Sequence, residues 1–322
     1  MNADEERQTA ALLGGLKAEP STAARARAFA ILAAEFHATA VRGSFGARRF
    51  AWVAAILMVL ASAVTWQTLQ PAARVATLES LGGTLVAHGT HWFSGNTRRY
   101  SGAQLSVGDS LTVSNDGGVL LRLSPDLTVR LAAGTRAKLA GNDAIELAAG
   151  EAFVDATPGA HAALRIVTPH GVVTHLGTQY LVRSGRDEIE VSVREGSVQL
   201  DTGRATVAAV AGEWLSHRDG EGGVLSGKLP VDDVRFEWIA ALPTGFKLDG
   251  ATLGEFLAWF RRETGLVPIY AAALDSGHLG QVRLKGTIQN LEPLEALSLV
   301  LATADLAWYR DGAKVIIEQH AR

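Results

Sequence analysis

The sequence contains no cysteine and only two methionines among its 322 residues. The absence of cysteine excludes disulfide bonds, thiolate catalysis and cysteine-ligated zinc or iron–sulfur sites. Positive charge is not in excess either, because the formal net charge is −3, and this disfavours nucleic acid as a partner. The folded parts must therefore be stabilised by burial of apolar residues, which make up 48% of the chain.

Motifs for catalysis are also missing. The chain has no G-x-x-x-x-G-K-[ST], no G-x-S-x-G and no H-E-x-x-H sequence. His88 and His91 form an H-x-x-H pair, and His170 and His175 lie further along the chain, but no third ligand stands at a spacing typical of a metal site. We therefore predict a protein that is not an enzyme and that has no cofactor and no metal site.

Residues 50–69 form an uncharged apolar run, FAWVAAILMVLASAVTWQTL. A helix of about 20 residues matches a hydrocarbon core of roughly 30 Å, so we predict a single transmembrane helix. Arg42, Arg48 and Arg49 precede the run without any acidic residue among residues 36–49. By the positive-inside bias, we expect residues 1–49 to be cytoplasmic and the chain after the run to lie outside. The absence of cysteine is consistent with the periplasm, the space outside a bacterial inner membrane.

Two other interpretations of this run are open. A buried helix of a soluble core would normally show a polar stripe, which these residues lack. A cleaved signal peptide would account for the A-x-A pattern at residues 61–63, but 49 residues of mixed charge precede the run, unlike a short basic signal region.

The tail, residues 1–49, is rich in alanine and helix formers. A helix from Ser21 to about Val41 would place Phe29, Leu32 and Phe36 on one face. So few large apolar residues cannot build a core, so we predict a short helical tail that folds against a partner through that face. The alternative is a solvated, partly disordered tail.

From residue 75 the pattern changes to short alternating strands separated by glycine-containing turns. Strands at spacings of about ten residues, without a helical segment, predict an all-β domain over residues 75–218, either sandwich-like or a solenoid of short strands. Within it, His91 to Tyr100 group three aromatic residues and two arginines. Of these, Trp92, Arg98 and Arg99 are candidate partner contacts, and the alternative is that the aromatic residues close one end of the β core.

Four stretches of this region stand in a characteristic order: Gly108-Asp109 followed by LRLSPDLTV at 121–129, IELAAGEAFV at 145–154, IVTPHGVVTHLGTQYLV at 166–182, and VSVREGSV at 191–198. In this order they resemble the motifs of the FecR family of transmembrane regulators. The resemblance implies an anti-sigma factor or sigma regulator of the inner membrane.

A glycine-rich linker is predicted over residues 219–235, and a small α+β domain over residues 236–322. Thr252 to Glu255 form a capping box that opens a helix with Leu253, Phe256, Leu257 and Phe260 on its apolar face. Phe246–Leu248, Val267–Tyr270 and Val282–Ile288 are predicted strands, and Asp311-Gly312 is the turn of a hairpin. This order resembles the short domain of secretins and TonB-dependent transducers.

Taken together, the resemblance implies a sensor that relays a signal of outer-membrane transport, as in the regulation of iron uptake, to a sigma factor of the extracytoplasmic-function class. A TonB-dependent outer-membrane transducer is the expected partner outside, and the sigma factor is the expected partner of residues 1–49. The alternative is a membrane-anchored envelope adaptor or structural protein without a sigma partner. Residues 1–49 contain no tryptophan, unlike the tails of many family members, which leaves this alternative open.

Overall fold

The computed structural model describes residues 74–88, 97–157, 164–175, 178–230, 233–272, 274, 276–289 and 291–320. The chain divides into a unit of residues 1–71 and a unit of residues 72–322, and all described residues belong to the second. The predicted tail and the apolar run at 50–69 lie outside them. Within the described residues, every helix is too short or too polar to cross a bilayer. The single-pass topology therefore stays a prediction.

Residues 74–230, here called the β region, consist of short strands. They are β1 (Arg74–Leu81), β2 (Leu85–His88), β3 (Thr97–Arg99), β4 (Gln104–Ser106), β5 (Ser110–Val113), β6 (Val119–Ser124), β7 (Leu127–Leu131), β8 (Arg136–Leu139), β9 (Ala144–Ala156), β10 (Arg165–Thr168), β11 (Gly171–His175), β12 (Gln179–Ser184), β13 (Glu188–Glu195), β14 (Ser197–Asp201), β15 (Thr206–Val210), β16 (Glu213–Arg218) and β17 (Val224–Lys228).

These strands form two layers that share the long strand β9. The first layer, sheet A, has the order β4-β1-β6-β7-β9-β12-β13-β16-β17. The second layer, sheet B, has the order β3-β2-β5-β8-β9-β10-β11-β14-β15. Neighbouring strands are antiparallel, apart from the parallel pair β9 and β10. The prediction of a mostly β region is confirmed.

Gly150 allows β9 to pass from one sheet to the other. Its φ is +102°, and a Cβ there would lie 2.5 Å from the Thr135 side chain. Up to Ala149 the strand pairs with β8 in sheet B, and from Gly150 onward it pairs with β12 in sheet A. The glycine of the IELAAGEAFV stretch is therefore required by both backbone conformation and space.

The core lies between the two sheets. Alternate side chains point inward from each strand, as in Val129 and Leu131 of β7 and Ala152 and Val154 of β9. Burial of this apolar set stabilises the region without any disulfide, as the composition requires.

The C-terminal region, residues 244–320, follows a 3-10 helix, Val234–Ala241. It contains α1 (Leu253–Thr264), β18 (Val267–Tyr270), α2 (Ser276–Leu279), α3 (Pro293–Thr303), β19 (Leu306–Asp311) and β20 (Lys314–Gln319). The three strands form one sheet in the order β18-β20-β19. Leu253, Phe256, Leu257 and Phe260 are buried in its core, as predicted. A small mixed α/β region is thus confirmed.

Three local predictions differ from the structure. Residues 219–223, which were predicted as part of a glycine-rich linker, form a turn that reverses the direction of the chain. The strand β17 that follows this turn pairs with β16. Residues 246–248 and 282–288 are not strands, apart from one bridge between Thr252 and Arg283. A strand over 282–288 is interrupted because residues 285–287 are all exposed and Gly286 has a φ of +117°.

Candidate functional site

The C-terminal region covers the middle of the outer face of sheet A, at β7, β9 and β12. In β7 all five residues, Leu127 to Leu131, are buried, although Thr128 and Arg130 point away from the sandwich core. Strand register aligns Arg130 with Phe153 of β9, and Phe153 with Leu181 of β12. A strand buried on both faces indicates that a second layer packs on it.

Arg130 forms a buried ion pair with Glu263 of α1. The two side chains are each 1% exposed. The Arg130 Nε also donates a hydrogen bond to the Leu242 carbonyl at 2.7 Å. Glu263 accepts further hydrogen bonds from the hydroxyl of Thr244 and from its backbone N–H, the latter at 3.2 Å. Buried charges are tolerated when they are paired and hydrogen-bonded in this way.

Side chains of β9 and β12 on the same face of sheet A contact helix α1 as well. Asp155 of β9 pairs with Arg262, and Gln179 of β12 donates from its side chain to the Arg262 carbonyl at 3.0 Å. The Arg130 guanidinium also lies 4.0 Å from Asp155. The C-terminal turn of α1 is therefore held on sheet A by two acids and two arginines.

Arg194 of β13 lies between aromatic rings at the same place. Its guanidinium carbon is 4.7 Å from the centre of the Phe236 ring and 5.2 Å from that of Phe153. Burial, together with the nearby Arg130 charge, lowers the pKa of Arg194 to about 10. The attraction between a cation and an aromatic ring face is stronger when the cation is removed from water, as the Arg194 guanidinium is here.

Gly265, at the C-terminus of α1, packs against Arg194. Its φ is +76°, and a Cβ would approach the Arg194 Nε to 3.0 Å. The carbonyl end of a helix attracts a cation. Gly265 thus ends the helix in the left-handed conformation and lets the buried arginine reach that end.

The 3-10 helix completes the contact. Its Ile239 is fully buried with Phe153 and Leu181, and its Phe236 and Trp238 pack on the same cluster. Arg235 forms ion pairs with Glu190 of β13 and with Asp233. We call the set Arg130, Asp155, Arg194, Arg262 and Glu263 the charged interface. It fixes the position of the C-terminal region on the β region through the ion pairs of Arg130 with Glu263 and of Asp155 with Arg262.

The residues predicted as partner contacts lie elsewhere or cannot be placed. Phe29, Leu32, Phe36 and Trp92 fall outside the described residues. Arg98 and Arg99 are on β3, at an end of sheet B; Arg98 is exposed, whereas the Nε of Arg99 is buried without a hydrogen bond. Their role as contacts stays a prediction.

Sequence reasoning did not find the charged interface, and only one signal was present. Glu263 stands three residues after Phe260, in line with the apolar face of α1, where a charge is unusual. Arg130 gave no signal, because it occupies an outward position of the alternating strand LTVRL, where a charge is ordinary.

Of the four histidines considered as metal ligands, His170 and His175 have structural contacts, and His91 lies outside the described residues. The Nδ1 of His170 lies 2.8 Å from a carboxylate oxygen of Asp219, and the Nε2 of His175 accepts a hydrogen bond from the Leu164 N–H at 3.1 Å. Within the described part of the chain, no three metal-ligating side chains are grouped together.

Acidification is expected to destabilise the β region through His175. Burial lowers the pKa of His175, so the unfolded chain binds its proton more tightly than the folded one. The stabilisation is complete above the ordinary histidine pKa of about 6.5 and is lost as the pH falls below it. Denaturant unfolding at pH 7 and pH 5 should show a smaller loss for His175→Gln than for the unaltered protein. His320→Gln, at an exposed position, is the matched control and should keep the full loss.

Comparison with known proteins bears on the β region. Residues 104–199 match the model of the family described as FecR protein. Two crystal structures of a presumed anti-sigma factor from Parabacteroides distasonis ATCC 8503, at 2.50 Å and 1.65 Å, are 16% identical in sequence. Each alignment covers 66% of this chain and 99% of the other, with a TM-score of 0.35. A comparison with curated proteins found no match.

Proposed function

We propose that this protein is an inner-membrane regulator of a sigma factor. The observation that carries the proposal is the match of residues 104–199 to the FecR family model. The order of the chain supports it, because a short tail, an apolar run of transmembrane length and a large folded part follow one another. In this proposal residues 1–49 bind the sigma factor and residues 72–322 receive the signal in the periplasm.

The partner outside is, in this proposal, a TonB-dependent outer-membrane transducer. The charged interface supports a role in reception, since it joins the β region and the C-terminal region into one unit that a partner can contact as a whole. The message must then pass through residues 50–69, by movement of the helix or by cleavage near residues 61–63.

Binding of the tail to a sigma factor tests the proposal directly. Residues 1–49 are expected to bind the sigma factor encoded beside this gene, measured by calorimetry. Phe29→Ala and Phe36→Ala should each weaken binding by about 2 kcal/mol, or roughly 30-fold, as for aromatic residues at the centre of an interface. Arg25→Ala, off the apolar face of the predicted helix, should change it little.

The envelope adaptor is the second candidate, and the same experiment separates the two. If the unaltered tail binds no neighbouring sigma factor, and deletion of the whole gene leaves transcription unchanged, the adaptor is the better explanation.

The topology has its own test. Alkaline phosphatase, which is active only outside the cytoplasm, is expected to be active when fused after Val210 and inactive when fused after Ala38. The arginines before the apolar run give the physical reason, because they are retained on the cytoplasmic side. An active fusion after Ala38 together with an inactive one after Val210 would reverse the topology and refute the proposal.

A further inference from the structure

The three-stranded sheet of the C-terminal region has a covered face and a face that is largely exposed. Val315 and Ile317 of the middle strand β20 point into the core that the sheet shares with α1 and α3. Strand alternation places their neighbours on the opposite face. We call this second face the open sheet face, and the residues that matter on it are Val267, Ile269, Tyr309, Lys314, Ile316 and Glu318.

An apolar row crosses the open sheet face. The strand register aligns Ile316 with Ile269 of β18 on one side and with Tyr309 of β19 on the other. Ile269 and Tyr309 are exposed, and so is Val267, which lies two residues before Ile269 on the same face. Exposed apolar side chains that are adjacent, rather than scattered singly, indicate a contact surface.

Two opposite charges flank this row on the middle strand. Lys314 lies two residues before Ile316 and Glu318 two residues after it, and both charged residues are exposed. Neither forms an ion pair with another described residue. Strand β20 therefore presents a positive, an apolar and a negative side chain in that order on the open sheet face.

We propose that the open sheet face binds the same face of a second copy of this chain. A two-fold axis that runs across the strands at Ile316 turns the second sheet over and reverses the direction of its strands. Ile316 then meets Ile316, and Lys314 of each copy meets Glu318 of the other. A two-fold axis parallel to the strands would instead place Lys314 against Lys314, so the charges select the first arrangement.

The other strands fit the same arrangement. Because the axis runs across the strands, Tyr309 lies against Tyr309 and Ile269 against Ile269, and the two apolar rows cover each other. Asp311, the neighbour of Lys314 on β19, faces Ala307 of the second copy and no other acid. Three short strands form a small contact area, so we expect a weak, concentration-dependent dimer. The inference goes beyond the proposed function and does not depend on a sigma factor.

Charge reversal tests the proposal with the full-length protein in detergent. Sedimentation equilibrium over a range of concentrations should show a monomer–dimer equilibrium for the unaltered chain. Lys314→Glu opposes acid to acid, and Glu318→Lys opposes base to base, so each variant alone should associate at least about tenfold more weakly. In an equimolar mixture of the two variants every opposed pair is again an acid and a base. The mixed dimer should therefore regain the unaltered affinity to within about threefold.

Matched substitutions elsewhere separate this surface from general effects of charge and apolarity. Lys138→Glu and Glu146→Lys reverse an exposed pair on sheet B and should leave association unchanged. Tyr309→Ala should weaken association at least about tenfold, whereas Tyr100→Ala, at an exposed tyrosine of the β region, should change it less than about threefold. Melting temperatures check that each variant is folded.

Three results would each overturn the proposal. The first is an unaltered chain that stays monomeric at every concentration. The second is a dimer that Lys314→Glu and Glu318→Lys leave as tight as before, which would place the contact elsewhere in the chain. The third is a mixture of the two variants that associates no better than either variant alone, since the opposed charges would then not meet across the dimer.

Discussion

Replacing Arg130 by methionine is expected to lower the free energy of unfolding of the 72–322 unit by about 3–5 kcal/mol, the usual cost of removing one partner from a buried ion pair. Methionine keeps the contact with the Phe153 ring, which the Arg130 guanidinium carbon meets at 5.7 Å. What is lost is the charge that compensates Glu263 and the donor to the Leu242 carbonyl. Denaturant titration followed by tryptophan fluorescence measures the effect.

A second substitution should restore much of that loss. In the double variant Arg130→Met with Glu263→Gln, no uncompensated carboxylate stays buried, and the glutamine carbonyl can still accept from Thr244. An exposed pair provides the control: Lys138 lies 3.5 Å from Glu146, and both side chains are almost half exposed. Lys138→Met should cost less than about 1 kcal/mol. Equal, small effects of Arg130→Met and Lys138→Met would show that the charged interface does not hold the two regions together.

The charged interface has a physical consequence for the molecule. A buried ion pair adds little net stability, because desolvation of the two charges offsets their attraction. It does make one arrangement of the two regions more favourable than others, since any shift of α1 would leave Arg130 or Glu263 unpaired. We infer that these charges specify where the C-terminal region docks, and that the apolar cluster of Phe153, Leu181 and Ile239 supplies the stabilisation.

Local sequence patterns predicted the elements that depend on near neighbours. Thr252 and Glu255 form the reciprocal hydrogen bonds of the capping box, and Gly265 ends α1 with a positive φ. Asp311 and Gly312 connect β19 and β20 as predicted. In these cases the residues that decide the structure lie within a few positions of each other.

The parts that sequence reasoning missed depend on contacts between distant residues. Arg130 and Glu263 are 133 positions apart, and only the folded chain shows that one faces the other. The sequence of residues 282–288 alternates like that of a strand, but Gly286 has a φ of +117° and most of the segment has no partner strand. Alternation identifies which side chains are buried and not which edges are paired.

Truncation of Phe256 is expected to destabilise the C-terminal region strongly. Phe256 lies on the buried face of α1, is fully buried, and has ring contacts with Phe246 at 5.9 Å and Trp259 at 5.5 Å. Phe256→Ala removes this burial and leaves a cavity, which costs about 3–5 kcal/mol. A loss of that size approaches the whole stability of a small domain.

The contrast with a neighbouring exposed position makes this prediction specific. Arg261 lies on the same helix but is exposed, so Arg261→Ala should change the free energy of unfolding by less than about 0.5 kcal/mol. Hydrogen exchange resolves where the loss falls: amides of α1, α3 and β20, which share the core with Phe256, should lose protection first. The β region has its own core between sheets A and B and should keep its protection at Val129 and Val154. Similar small effects of Phe256→Ala and Arg261→Ala, or equal loss of protection in both cores, would mean that the C-terminal region is not stabilised by a core of its own.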